Sequence, residues 1–65
     1  MYWRYVDNNG VRSPIAYWTQ VQAQDNAVLK GARITQAEYT RMNEGKQQVL
    51  WKLLERSGWS IRFAP

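Results

Sequence analysis

The chain has 65 residues, with nine Lys or Arg against five Asp or Glu, so its formal net charge at pH 7 is +4. A chain this short forms one domain, residues 1–65, in which four Trp, four Tyr and one Phe supply a large share of the core. Because cysteine and histidine are absent, disulfides, zinc sites of the usual kind and thiol or imidazole catalysis are excluded. We expect a cytoplasmic domain without metal or cofactor.

A β-hairpin is predicted at the start of the chain. Two aromatic-rich segments, residues 2–6 and 15–21, flank Asn8–Gly10, where the Asn-Gly pair suits the positive φ angles of a type I′ turn. The second segment alternates as a strand does, yet Ser13-Pro14 is also a good start for a helix. We favour the strand for this second segment, with the helix as the alternative, so the choice between strand and helix for residues 14–24 stays open.

The main helix is predicted to start at residue 36, after a short connector around residues 27–30 that ends at Gly31. Thr35 and Glu38 have the spacing of a capping box. A helical repeat then places the following apolar residues on one face: Tyr39, Met42, Val49, Leu50, Leu53 and Leu54. Within this stretch, Gly45 is a weak point that bends or interrupts the helix.

The sequence also predicts where the helix ends and where the last strand begins. Gly58 suits the left-handed position after a helix, and Leu54 and Trp59 then form the apolar pair that accompanies a Schellman ending. Beyond it, Trp59, Ile61 and Phe63 alternate with polar residues, which is typical of a strand.

These elements predict an α+β fold. The expected architecture is a small antiparallel sheet, made of the N-terminal hairpin and the C-terminal strand, packed on one main helix of about residues 36–57. The first residues lack the apolar stretch of a signal peptide, and the longest apolar segment, residues 49–54, is interrupted by Lys52. We therefore expect no membrane association.

Catalytic motifs are missing from the sequence. No two carboxylates have a spacing that requires a shared site, and Ser57 lacks the surroundings of a nucleophile elbow. Gly45-Lys46 lacks the rest of a phosphate-binding loop, and residues 7–10 lack the other ligands of a calcium loop. We expect the protein not to be an enzyme.

The segment Ile34-Thr35-x-x-Glu38-Tyr39, followed by Gly45, carries a resemblance. It is similar to the "I-T-x-x-E-Y" helix start of phage tail-fibre-assembly proteins and other small phage or prophage proteins. The resemblance implies a phage-encoded accessory protein that acts by contact with another protein.

Aromatic residues are the candidate anchors for a protein partner. Both faces of the first strand carry aromatic side chains, and one helix cannot cover both faces of a thin sheet. The helical repeat places Trp51 among polar residues, away from the apolar stripe. The leading hypothesis is a protein-binding adaptor, assembly factor or inhibitor. Its candidate site consists of Trp51, Tyr2, Tyr5 and Trp18.

Two other functions stay open. One is a basic accessory protein that binds nucleic acid, since arginines are interleaved with aromatic residues. Its candidate residues are Arg4, Arg12, Arg33, Lys46, Lys52, Arg56 and Arg62. The other is a homo-oligomer whose exposed aromatic side chains face a second copy. The sequence does not identify the partner.

Overall fold

The computed structural model describes residues 2–64. In chain order they form β1 (Tyr2–Val6), α1 (Gln20–Ala32), α2 (Gln36–Arg41), α3 (Glu44–Arg56) and β2 (Ser60–Ala64). The two strands pair antiparallel, with Tyr2 opposite Ala64 and Val6 opposite Ser60. The predicted α+β class and the C-terminal strand are confirmed.

The turn after β1 is not the type I′ turn that the Asn-Gly pair predicts. Within residues 2–64, Gly10 has a positive φ of 82° while neither asparagine before it does. Instead, the Asp7 carboxylate accepts hydrogen bonds from the backbone amides of Asn9 and Val11, at 2.8 and 2.9 Å. An aspartate that bonds its own turn in this way stabilises a three-residue loop ending in a left-handed glycine.

The second arm of the predicted hairpin is not a strand. It runs beside β1 but pairs with it at two isolated bridges, Val6 with Arg12 and Trp3 with Tyr17. At the second bridge the two residues exchange both backbone hydrogen bonds, each 2.7 Å long. Ser13 still donates its amide to the Tyr5 carbonyl, but residues 14–16 leave the ladder, because Pro14 has no amide hydrogen to donate. The prediction of a strand for residues 15–21 is therefore wrong.

The first helix begins later than the Ser-Pro pair suggested, and it occupies the predicted connector. Thr19 is its N-cap, and the threonine side chain accepts a hydrogen bond from the Gln22 amide at 3.0 Å. Ala23, Ala27 and Val28 are fully buried on one face of α1. Gly31 does not end the helix. A β-carbon there would lie 2.7 Å from a methyl carbon of Leu54, so glycine lets α1 approach α3 closely.

The predicted main helix is two helices. The capping box at Thr35 and Glu38 is confirmed, with hydrogen bonds of 3.0 and 3.1 Å. The chain then becomes extended at Met42, and the Asn43 side chain accepts a hydrogen bond from the Lys46 amide at 2.8 Å to start α3. The break therefore lies before Gly45, which sits in the first turn of α3, because asparagine is a strong N-cap.

The C-terminal end of α3 has the predicted Schellman geometry. Gly58 has a φ of 111°, and its amide donates to the Glu55 carbonyl at 3.1 Å. The Trp59 amide donates to the Leu54 carbonyl, also at 3.1 Å. This ending turns the chain back toward β1 and buries the Trp59 ring.

One cluster of buried side chains joins the helices to the inner face of the sheet. Its members are Tyr5, Ala27, Val28, Tyr39, Trp51 and Trp59. Trp51 is 5% exposed, whereas Val49 and Leu53 are 57% and 55% exposed. The predicted apolar stripe is right for Tyr39, Leu50 and Leu54, which belong to the core or pack against it, and wrong for Val49 and Leu53. The error arises because one helical repeat does not continue across the break at Met42. Within α3 alone, Trp51 and Leu54 face the core.

Candidate binding site on the open face of the sheet

The outer face of the sheet, opposite the helices, carries an open groove of about 890 Å³. Successive side chains of a strand point to opposite faces, and Tyr5 points into the core. Tyr2, Arg4 and Val6 therefore point outward. We call this surface the sheet groove; it is lined by Tyr2, Arg4, Val6, Gly10, Arg12, Ala16, Arg62, Phe63 and Ala64.

Three arginines from different parts of the chain converge in the sheet groove. Arg4 on β1 lies directly opposite Arg62 on β2, and Arg12 joins them through its bridge to Val6. Like charges directly opposite each other destabilise a sheet. The one salt bridge within residues 2–64 is elsewhere, on α3. The positive charge of the groove is therefore not neutralised by a described carboxylate.

Arg4 is held in place by the irregular segment beside β1. Its Nη1 donates to the Ser13 carbonyl at 2.6 Å, while the Ser13 amide donates to the Tyr5 carbonyl at 2.8 Å. Ser13 is 2% exposed, and its hydroxyl donates to the Ile15 carbonyl at 2.7 Å. A guanidinium has five N–H donors, so this fixed arginine keeps donors for an anion.

Two exposed aromatic rings stand at one end of the sheet groove. Tyr2 is 40% exposed and Trp18 is 69% exposed. Their ring centres are 4.9 Å apart, with an angle of 46° between the planes. A contact of two large exposed rings beside the Arg4–Arg62 pair offers flat apolar surface next to positive charge.

The structure separates the predicted protein-binding anchors into two pairs. Tyr2 and Trp18 lie together at the surface. Tyr5 and Trp51 are 7% and 5% exposed and belong to the core, so the prediction that they are surface anchors is wrong. For Tyr5 the reason is strand alternation, which turns it toward the helices, and for Trp51 it is the helical phase of α3.

The predicted nucleic-acid-binding residues also fall into two groups: Arg4, Arg12 and Arg62 line the sheet groove, and the other four lie outside it. Arg33 is the left-handed C-cap of α1, with φ of 55°. The others outside the groove are Lys46, Lys52 and Arg56, which lie on α3; Lys52 forms a salt bridge of 3.7 Å with Glu55. None of these four lines the sheet groove. Ser13, whose carbonyl fixes Arg4, is a further site residue that the sequence did not predict, although its position before a proline indicates an interrupted strand.

Residues 2–64 contain no group of three or more Asp or Glu side chains that could hold a metal ion. No helix in the same range is both long enough and apolar enough to cross a membrane.

Comparisons with protein-family models, with curated proteins and with solved structures found no match to the chain. The resemblance of residues 34–39 to phage tail-fibre-assembly proteins therefore stays a prediction.

Proposed function

We propose that this protein is a non-enzymatic module that binds nucleic acid across the sheet groove. The observation that supports this most is Arg4 opposite Arg62 on an open sheet face. A like-charge pair costs stability unless an anion neutralises it. Guanidinium groups bind phosphate through two parallel N–H donors, so a set of arginines matches a phosphate backbone.

The leading hypothesis from the sequence, a protein-binding adaptor, has less support. Two of its four anchors are core residues, and the other two, Tyr2 and Trp18, stand beside the arginines. Self-association through the groove is disfavoured, because it would place the arginines of two copies together. An acidic protein surface is the competing partner, and the experiment below distinguishes it. A phage origin is a separate proposal, supported by residues 34–39.

The number of arginines sets the expected salt dependence. Each phosphate contact releases condensed counterions, with a slope of about −0.7 in log affinity against log salt for a single strand. Three contacts, from Arg4, Arg12 and Arg62, give a slope of about −2. We expect weak binding that is readily lost as salt rises.

The test is fluorescence anisotropy of a labelled oligonucleotide titrated with protein at several salt concentrations. The variant is Arg12→Gln/Arg62→Gln, since both side chains are exposed; Arg4 is kept because it bonds to Ser13. The double variant should lose affinity by about tenfold or more, and its salt slope should fall by about 1.4 in magnitude.

The matched control is Lys30→Gln/Arg41→Gln, which removes the same charge from exposed positions on α1 and α2. It should bind nearly as the wild type does. Equal losses in both double variants would show that only net charge matters and would overturn the assignment to the groove. Tighter binding of an acidic peptide than of the oligonucleotide would overturn nucleic acid as the partner.

A further inference from the structure

We infer that the sheet groove selects single-stranded over double-stranded nucleic acid, with Tyr2 and Trp18 forming a platform on which an unpaired base stacks. This inference rests on the proposed function and adds the form of the nucleic acid and the residues that recognise it.

The positions of the side chains along β1 support a single strand. Tyr2, Arg4 and Val6 follow each other on the outer face at intervals of about 6.6–6.8 Å, twice the rise per strand residue. The aromatic platform therefore stands one such interval from the Arg4–Arg62 pair, and Arg12 stands one interval further on. This order allows one base to stack on the platform while the phosphates that follow it meet the arginines.

The exposure of the platform favours bases over other groups. Trp18 is 69% exposed, although a ring of its size normally contributes to the core of a small domain. Every base offers a flat π-face, and stacking on an aromatic side chain is a main source of affinity for single strands. An acidic peptide offers carboxylates to the arginines, but its acidic side chains do not stack on two adjacent aromatic rings.

A duplex fits this surface poorly. Its bases stack on each other, so their faces are not accessible to Tyr2 and Trp18. A free two-stranded ribbon can enter the major groove of a duplex. The ribbon of β1 and β2 is not free, because the helices cover its inner face and the segment of residues 12–17 lies along the other edge of β1. The arginines lie on the flat face of β1 and β2, where the positive charge can meet a flexible backbone.

The experiment compares oligothymidylate with a duplex of equal length and monitors tryptophan fluorescence together with anisotropy. Trp18 is the one exposed tryptophan within residues 2–64, since Trp51 and Trp59 are buried and Trp3 is half-buried. Binding of oligothymidylate should quench Trp18. Trp18→Ala should weaken that binding about tenfold, and Tyr2→Ala should act in the same direction.

Two further variants serve as controls. Trp18→Phe keeps a ring for stacking, so affinity should stay close to that of the wild type while the quenching disappears. Val21→Ala removes an exposed apolar side chain three residues after Trp18 in the chain, which is not part of the platform, and should leave binding unchanged.

The outcomes separate this inference from the proposed function. If the duplex binds as tightly as the single strand, or if Trp18→Ala and Tyr2→Ala bind normally while Arg12→Gln/Arg62→Gln does not, the inference is wrong and the proposed function stands. If neither nucleic acid binds, both are wrong. Selective binding of oligothymidylate that depends on both rings supports both.

Discussion

Trp51 is the buried residue of α3, and the packing of that helix depends on its ring. We expect Trp51→Ala to lower the free energy of unfolding by about 3–5 kcal/mol. A domain of this size has a total stability of about the same magnitude, so the variant should be largely unfolded at room temperature. Urea denaturation followed by circular dichroism measures the change.

Leu53→Ala is the control, because it truncates a large side chain two residues away that is 55% exposed. Its stability should stay within about 0.5 kcal/mol of the wild type. If Leu53→Ala were the more destabilising of the two, the orientation of α3 described above would be wrong.

At the level of the helices, Tyr39 links α2 to α1. Its hydroxyl donates to the Asp25 carboxylate at 2.5 Å, and the ring is 6% exposed. Burial, and then the hydrogen bond to Asp25, raise the pKa of Tyr39 above its ordinary value of 10.0. The pKa of Tyr39 is higher in the folded protein than in the unfolded chain, so the stabilisation is complete below about pH 10. As the pH rises further, Tyr39 loses its proton first in the unfolded chain, and the stabilisation of the folded state is lost.

We therefore expect the free energy of unfolding to fall steeply above about pH 10. Tyr39→Phe should be less stable than the wild type at neutral pH by about 1–3 kcal/mol, and its decline at alkaline pH should be shallower. Some decline should remain, because burial also raises the pKa of Tyr5 and Tyr17. Urea titrations at neutral and alkaline pH test this, with Tyr2→Phe as the control at an exposed position. Parallel pH profiles for Tyr39→Phe and the wild type would contradict it.

Local signals in the sequence predicted the ends of the helices well. The Thr35 capping box and the Gly58 ending depend on a few neighbouring residues, so they could be predicted from spacing alone. The break at Met42 could have been found from the N-cap preference of Asn43. The burial of Trp51 could not be predicted once the two helices were treated as one.

The sheet groove was only partly predictable. Alternation along β1 indicated that Arg4 and Tyr5 face opposite ways, but not which face the helices cover. The pairing of Arg4 with Arg62 depends on the register between strands at opposite ends of the chain, which no local pattern determines. The contact of Trp18 with Tyr2 depends on the interrupted second arm, where the strand prediction was wrong.

For the whole molecule, β2 is the element without which the sheet does not exist. Deleting residues 59–65 removes the partner of β1 and the Trp59 ring, which lies 5.8 Å from that of Tyr5 in the core. The truncated chain should lose its cooperative thermal transition and its near-ultraviolet circular dichroism, because a single strand cannot bury the core side of α1. Phe63→Ala, at a 49% exposed position in the same strand, should keep both signals. A cooperative transition in the truncated chain would contradict this role for β2.

The pairing of Tyr2 with Ala64 also determines how the molecule responds to mechanical force. The hydrogen bonds between antiparallel strands run perpendicular to the strands. A pull applied at residues 2 and 64 acts along those bonds and loads the first pair alone, so the strands unzip one pair at a time. The sheet should therefore open at low force when it is stretched by its ends. Handles attached at residues 6 and 64 would shear all the pairs together and should meet a higher resistance.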